Sequence, residues 1–154
     1  MRLFSAVIGL LLLASVAFAA NGRFAQTRLS VQGSGEAQTV FTPDTPMITL
    51  QAEILEMPIG TKLTATWVAV KTDAASPNYE IASADLEINH ESASDQTSFT
   101  LSKPDAGWPV GDYKVSLSIN GQVATSLLFK IAPPGMHYVP ATLENGKLVP
   151  GHFE

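Results

Sequence analysis

The residues best suited to bind a metal ion are three histidines, two of which lie near the C-terminus. His137 follows Met136, and His152 lies two positions before the last residue, Glu154. Imidazole, thioether and carboxylate groups can together hold copper or zinc. No two histidines have the i, i+2 or i+4 spacing that fixes a rigid pair of ligands, and all lie in expected loops. We therefore predict no metal and no cofactor, with Met136, His137 and His152 as the candidate ligands if a metal is bound.

Acidic residues occur in pairs that could in principle serve as a general acid and a general base. The pairs are Asp85 with Glu87, Glu91 with Asp95, and Asp105 with Asp112. Such catalysis needs a cleft and perturbed pKa values, and nothing in the sequence indicates either. No Gly-X-Ser-X-Gly element is present, and the lack of cysteine excludes thiol catalysis. We predict no catalytic residue and no enzymatic activity; an unrecognised hydrolase is a further alternative.

Trp108 is the candidate residue for contact with a partner. It follows Gly107 and precedes Pro109, which places it at a bend and not within a strand. One interpretation is a plug that covers the end of the folded domain. The other is an exposed aromatic contact for a protein or glycan, because tryptophan is frequent among residues that dominate binding energy.

Alternation of apolar and polar residues predicts the strands that must position these groups. Tyr113, Val115, Leu117 and Ile119 alternate with polar residues, and Asn120-Gly121 is typical of a type I′ hairpin turn. Similar patterns occur at 47–54, 62–70, 79–89, 97–102 and 122–131. Leu86 and Ile88 are expected to face inward, as are Leu127, Phe129 and Ile131. Several short strands without an amphipathic helix favour an antiparallel sandwich or small barrel.

The N-terminus has the layout of a secretory signal peptide. Arg2 precedes the apolar run 3–16, and Ala17-Phe18-Ala19 has small residues at the −3 and −1 positions of a cleavage site. We predict cleavage after Ala19 and a periplasmic or extracellular protein; an uncleaved anchor is the alternative. The predicted division is a signal peptide at 1–19, a flexible segment at 20–40, a β-sandwich at 41–132, and a tail or small hairpin at 133–154.

The overall charge of −5 excludes some classes of partner. An acidic chain without a cluster of lysine and arginine argues against binding to nucleic acid or an anionic membrane. Serine and threonine on the strand faces suit a solvated sheet, and they could also support pairing with another chain. We expect a monomer or weak dimer.

The sequence resembles immunoglobulin-like domains in the placement of one tryptophan and one tyrosine. A further short edge strand could form at 27–32, with Leu29 and Val31 on one side. Counted from there, Trp67 lies in the third predicted strand, and Asp112-Tyr113 opens the sixth. In that family a tryptophan packs at the centre and a tyrosine hydroxyl bonds back to nearby backbone, so the resemblance implies structural roles for Trp67 and Tyr113. The two cysteines of antibody domains are absent, and Val115 stands where one of them would lie.

The stretch from Trp108 through Asn120-Gly121, with 41–44 ahead of the first core strand, also resembles small exported bacterial proteins of immunoglobulin-like or fibronectin-III-like type. The resemblance covers roughly 41–131. Those proteins mostly lack an assigned function, so it implies no catalytic residue.

The sequence thus predicts an all-β, immunoglobulin-like antiparallel β-sandwich of about seven strands. The predicted function is an exported, non-enzymatic binding or accessory module that acts at the bacterial cell envelope on a protein or glycan partner. The alternative is a periplasmic metal-handling protein that uses the Met/His tail.

Overall fold

The computed structural model describes residues 22–136, 138–139, 141–144 and 146–154. The predicted signal peptide and His137 lie outside these ranges. Within them, all regular elements are strands: β1 Arg23–Val31, β2 Val40–Phe41, β3 Met47–Leu55, β4 Lys62–Thr72, β5 Tyr79–Glu87, β6 Ser94–Ser102, β7 Gly111–Ile119, β8 Gln122–Ile131, β9 Tyr138–Val139, β10 Thr142–Glu144, β11 Lys147–Val149 and β12 His152–Phe153. Among the described residues, no helix is long and apolar enough to cross a membrane.

The smaller sheet has three antiparallel strands in the order β1-β3-β6. Leu50 in β3 lies opposite Leu29 on one side and Phe99 on the other, and all three are buried. This row marks the inner face, since residues on one face of a strand recur with a period of two.

The larger sheet has five strands in the order β2-β8-β7-β4-β5. Strand β2 pairs parallel to β8, and the other pairs are antiparallel. Asn120 and Gly121 form the turn between β7 and β8 with φ values of 48° and 84°. A type I′ turn needs positive φ at both central residues, which explains why this dipeptide stands here.

Both sheets contribute to one buried core. Trp67 is only 1% exposed and meets Phe129 edge to face, with ring centroids 6.0 Å apart. Phe129 in turn stacks on Tyr113 at 5.2 Å, and Phe41 meets Phe129 edge to face at 5.8 Å. The all-β prediction is confirmed, and two open sheets around a shared core are consistent with a β-sandwich.

The structure differs from the sequence predictions at both sides of this core. The segment 20–40, expected to be flexible with at most a short edge strand at 27–32, contains the nine-residue strand β1, because Leu29 is buried against the apolar face of β3. Leu86, expected to face inward, is 39% exposed. It lies on β5, the edge strand of the larger sheet, which has no buried residue because the opposing sheet has fewer strands.

Residues after the core form a separate two-stranded ribbon, here called the C-terminal ribbon (138–153). Strand β10 pairs with β11, and β9 pairs with β12, as two antiparallel two-stranded sheets. Gly146, between β10 and β11, has a φ of 76°. The described part of the C-terminal segment is therefore paired as a hairpin and is not an unpaired tail.

Candidate functional site

The outer face of the larger sheet is the candidate site, and its middle is lined with hydroxyl groups. Trp67 and Val115 are paired and point into the core, so their neighbours Thr66 and Ser116 point outward. The register extends this row to Ser83 on β5 and Ser126 on β8. Ser116 Oγ and Ser126 Oγ are 2.8 Å apart and share a hydrogen bond. The middle of this face is therefore flat and polar.

A charged group borders the hydroxyl row near the β5 edge. Thr64 Oγ1 donates to Asp85 Oδ1 at 2.8 Å, and Lys62 Nζ lies 2.8 Å from Asp85 Oδ2. The hydrogen bond from Lys62, followed by that from Thr64, lowers the pKa of Asp85 below its usual value. Asp85 is therefore held as a carboxylate by its neighbours, the opposite of what a general acid requires.

Two large apolar side chains interrupt this polar face on β8. Leu128 is 70% exposed and Val123 is 66% exposed, although both lie in a strand whose inner residues are buried. The register places Leu128 opposite Lys114 and Val123 opposite Ser118, on the outward side. Isolated exposed leucines are common on protein surfaces. Whether Leu128 belongs to a binding surface therefore depends on the residues around it.

Leu128 lies at a groove of about 410 Å³, which we call the β8 groove. The groove is lined by residues from β2, β4, β7 and β8 and from the residue before β2, namely Thr39, Val40, Val70, Asp112, Tyr113, Leu128, Phe129 and Lys130. Lys130 and Asp112 form an ion pair within it. An apolar concavity with a few charged groups is the usual form of a recognition site.

Trp108 is not at the surface. It is 3% exposed, its ring meets Tyr113 edge to face at 6.2 Å, and its Nε1 donates to Thr45 O at 2.8 Å. Its polar group is thus satisfied inside the protein, and the side chain offers no area to a partner. This placement matches the plug interpretation and corrects the alternative in which Trp108 is an exposed contact.

Tyr113 is buried beside Trp108 and bonds back to the chain. Its Oη donates to Pro109 O at 2.6 Å, four positions upstream. Burial raises the pKa of Tyr113 to about 12, because the charged phenolate would lose its hydration. Trp67 and Tyr113 therefore both occupy core positions, with no group exposed for chemistry.

The candidate metal ligands are only partly covered by the structure. Met136 is 49% exposed, His137 lies outside the described residues, and His152 Nε2 lies 3.3 Å from Glu154 Oε1. The described ranges hold no group of three histidine, cysteine, aspartate or glutamate residues that could bind a metal ion.

The acidic pairs singled out in the sequence have other partners. Asp112 is paired with Lys130, and Asp95 Oδ2 lies 2.8 Å from His90 Nε2. The hydrogen bond from the Gln96 backbone N–H, with a smaller one from His90, lowers the pKa of Asp95. These contacts stabilise the charged carboxylates and leave no pair of carboxyl groups arranged for catalysis among them.

Comparison with solved structures finds only distant likeness. An alkylpurine DNA glycosylase from Pseudomonas fluorescens, bound to DNA, is 13% identical, with a TM-score of 0.46, over 73% of this chain and 30% of that one. A β-D-glucoside glucohydrolase from Trichoderma reesei is 11% identical, with a TM-score of 0.43, over 73% of this chain and 19% of that one. A β-glucosidase from Bifidobacterium adolescentis is 10% identical, with a TM-score of 0.45, over 78% of this chain and 18% of that one.

The chain thus spans less than a third of each of these larger proteins. No protein-family model matches the chain, and no curated protein matches it. Function must therefore be argued from the site itself.

One feature of the sequence points to the β8 groove, although alternation alone does not reveal it: the outward position of Leu128. Once Leu127, Phe129 and Ile131 are assigned to the core, Leu128 must point outward. A leucine between two charged or polar positions of a solvated face is the kind of exception that marks a contact surface. The groove itself depends on Val40 and Val70, which come from distant parts of the chain and reach β8 only through folding.

Proposed function

We propose that the two-sheet domain is an immunoglobulin-like sandwich. Three observations support this proposal. The strands lie in the orders β1-β3-β6 and β2-β8-β7-β4-β5, the hydroxyl of Tyr113 bonds to backbone upstream, and Trp67 packs at the centre. Immunoglobulin-like domains combine two antiparallel sheets with a central tryptophan and a tyrosine of this kind.

We propose that the chain is an exported, non-enzymatic binding or accessory module that recognises a protein partner at the bacterial cell envelope. The observation that carries this proposal is the exposed apolar residue Leu128, which lines the β8 groove; Val123 is also exposed, farther along the same strand. A partner covering this face would remove Leu128 from water, and full burial of such a side chain is worth about 1.5–3 kcal/mol.

A protein partner fits this face better than a glycan does. Sugar rings are bound largely by stacking on exposed aromatic side chains, whose flat faces are apolar. Among the described side chains, both tryptophans are buried, and Tyr79, at 55% exposed, is the large aromatic at the surface. Tyr79 lies on β5, at the opposite side of the sheet from β8. The β8 groove therefore combines aliphatic surface with an ion pair, as protein interfaces do.

A site-specific crosslink tests this proposal. A photoreactive amino acid is introduced at position 128, the chain is expressed in its native bacterium, and crosslinked products are identified by mass spectrometry. The matched control has the same amino acid at Ser98, which faces outward on the other sheet. We expect one dominant adduct with a different envelope protein at position 128 and none at position 98. Equal, diffuse labelling at both positions would contradict the proposal.

A further inference from the structure

The C-terminal ribbon carries an apolar pair that no other part of the described chain covers. Leu143 and Leu148 lie directly opposite each other in its register, and they are 74% and 65% exposed. A two-stranded hairpin alone is marginally stable in water, because it buries too little apolar surface. The ribbon thus needs a surface on which Leu143 and Leu148 can pack.

The β8 groove matches the tip of the ribbon in chemistry. The groove offers Val40, Val70 and Leu128 as apolar lining, with Asp112 and Lys130 as a charged pair. The ribbon offers its two leucines and, at the adjoining register position, the exposed Lys147. Each side therefore presents an apolar patch next to a charged group, and Lys147 of the ribbon is opposite in sign to Asp112 of the groove.

The connection between core and ribbon favours another copy over the chain's own groove. The connection leaves the core after Ile131, at the end of β8 where Lys130 lines the groove, and it begins with Pro133-Pro134. Proline fixes φ, so the chain is stiff at this point. Residues 133–137 span at most roughly 17 Å when extended. The ribbon leucines remain exposed, so the chain's own groove does not take them up.

We propose that the β8 groove receives the C-terminal ribbon of a second copy of this chain. In a two-fold dimer the contact is reciprocal, so each ribbon packs into the groove of the other copy. In each copy the groove lies near the end of β8, where the connection begins, so a two-fold axis close to this end would let the two ribbons cross. The exchange covers Leu128, Leu143 and Leu148 together. It uses the face assigned above to the protein partner, so self-association and partner binding compete.

Sedimentation velocity on residues 20–154 tests the reciprocal contact. The ribbon variant is Leu143→Ser with Leu148→Ser, the groove variant is Leu128→Ser, and the control is Ile59→Ser, since Ile59 is 57% exposed in a loop. We expect a concentration-dependent dimer for the wild type and for the control. We expect dissociation constants raised at least about tenfold, the equivalent of 1.4 kcal/mol, for the ribbon and groove variants.

Mixing the two variants distinguishes exchange from other dimers. A heterodimer of ribbon variant and groove variant keeps one intact contact, in which an unaltered ribbon meets an unaltered groove. We expect the equimolar mixture to dimerise more tightly than either variant alone. A wild type that is monomeric at all concentrations, a groove variant that dimerises as well as wild type, or a mixture without restoration would each overturn the proposal.

The outcome is separable from that of the proposed function. Near-ultraviolet circular dichroism on every variant establishes that the core is intact, and the ribbon variant leaves the core sequence unchanged. A monomeric wild type that still crosslinks to an envelope protein through position 128 would overturn the exchange and leave the binding module standing. A dimer of the expected kind with no adduct to another protein would support exchange and contradict the proposed partner.

Discussion

Trp108 Nε1 donates a hydrogen bond of 2.8 Å to the carbonyl oxygen of Thr45 and thereby ties the bend before β7 to the turn before β3. The Trp108 backbone N–H donates to the neighbouring Pro43 O at 3.0 Å, so one residue holds the turn through two bonds. Its ring also covers the edge of Tyr113. The bend thus closes one end of the core and joins the two sheets there.

Replacing Trp108 by phenylalanine should separate the hydrogen bond from the packing. Phenylalanine keeps an aromatic ring but cannot donate to Thr45 O, which would be left without this partner in the interior. We expect a loss of about 1–3 kcal/mol in the free energy of unfolding, measured by urea denaturation. Val110→Ala is the control, because Val110 is in the same bend but 37% exposed. Equal stability of Trp108→Phe and wild type would show that the bond contributes nothing.

Tyr113 should make stability depend on pH in the alkaline range. Its pKa is about 12 in the folded protein, against 10.0 for an unperturbed tyrosine. Because the folded pKa is the higher one, the contribution is complete below pH 10 and is lost as pH rises from 10 towards 12. Tyr113→Phe should be less stable at neutral pH by about 1–2 kcal/mol through loss of the bond to Pro109 O.

The measurement is thermal unfolding of wild type and Tyr113→Phe between pH 8 and about 11.5. The melting temperature of the variant should fall less steeply above pH 10, since phenylalanine does not ionise. Tyr79→Phe, at an exposed tyrosine, controls for the general effect of alkali on lysines. Parallel curves for wild type and Tyr113→Phe would rule out Tyr113 as the source of the alkaline loss.

Gly111 at the start of β7 should not tolerate a side chain. Its φ is 151°, and a Cβ atom there would lie 2.2 Å from Lys71 O and 3.0 Å from Thr72 Cα. Both are backbone atoms, so relief requires β4 or β7 to move. We expect Gly111→Ala to destabilise by about 1–3 kcal/mol from overpacking, with backbone strain in addition.

Gly121 provides the matched control for Gly111, because its φ is also positive but nothing lies within 4 Å of its Cβ position. Gly121→Ala should therefore cost only the conformational strain, about 1–2 kcal/mol. Urea denaturation of both variants decides the point. If Gly111→Ala loses no more free energy of unfolding than Gly121→Ala does, the close approach of β4 to Gly111 does not affect stability.

Asp85 and Asp95 should contribute to acid sensitivity. The pKa of each is lower than the usual 3.8, through Lys62 and Thr64 for Asp85 and through Gln96 and His90 for Asp95. A lowered folded pKa gives stability that is present above 3.8 and is lost as pH falls through the folded value. The double variant Asp85→Asn with Asp95→Asn should show a flatter melting temperature between pH 4 and about 2.

Asp73→Asn with Asp105→Asn is the control for the acid measurement, since it removes the same charge from exposed loop positions. Its melting temperature should follow that of wild type as pH falls. Because both target carboxylates are exposed, the difference at neutral pH should be small. If the melting temperature of the target variant falls with pH as steeply as that of wild type, solvent screens these contacts and they do not contribute to acid sensitivity.

Local pattern predicted most of the core strands, because alternation records directly which face of a strand is buried. Tyr113, Val115 and Leu117 were assigned inward from their spacing alone, and all three are buried. The Asn120-Gly121 turn followed from backbone chemistry, since few dipeptides accept positive φ twice. These features are determined by a few neighbouring residues, so they can be predicted from the sequence alone.

Features that depend on distant partners could be predicted only in part. The sequence allowed a short edge strand at 27–32, but the full length of β1 depends on the pairing edge of β3 and on the pocket for Leu29. The sequence left the burial of Trp108 as one of two interpretations, because it depends on Thr45, which is 63 positions away. The β8 groove combines residues of four strands, so its existence depends on strand order, which alternation does not specify.

Trp67 should be among the most costly positions to truncate. Its side chain is fully buried between the sheets and meets Phe129 edge to face, and Phe129 links it to Tyr113 and Phe41. Trp67→Ala would leave a cavity that these rings cannot fill, and we expect a loss of about 3–5 kcal/mol, against a total stability of about 5–15 kcal/mol for a typical domain. The loss is measured by thermal and urea unfolding.

Val123→Ala, an apolar truncation on the outer face, is the control and should change stability by less than about 0.5 kcal/mol. A melting transition of Trp67→Ala that coincides with wild type would mean that the side chain does not lie in the core.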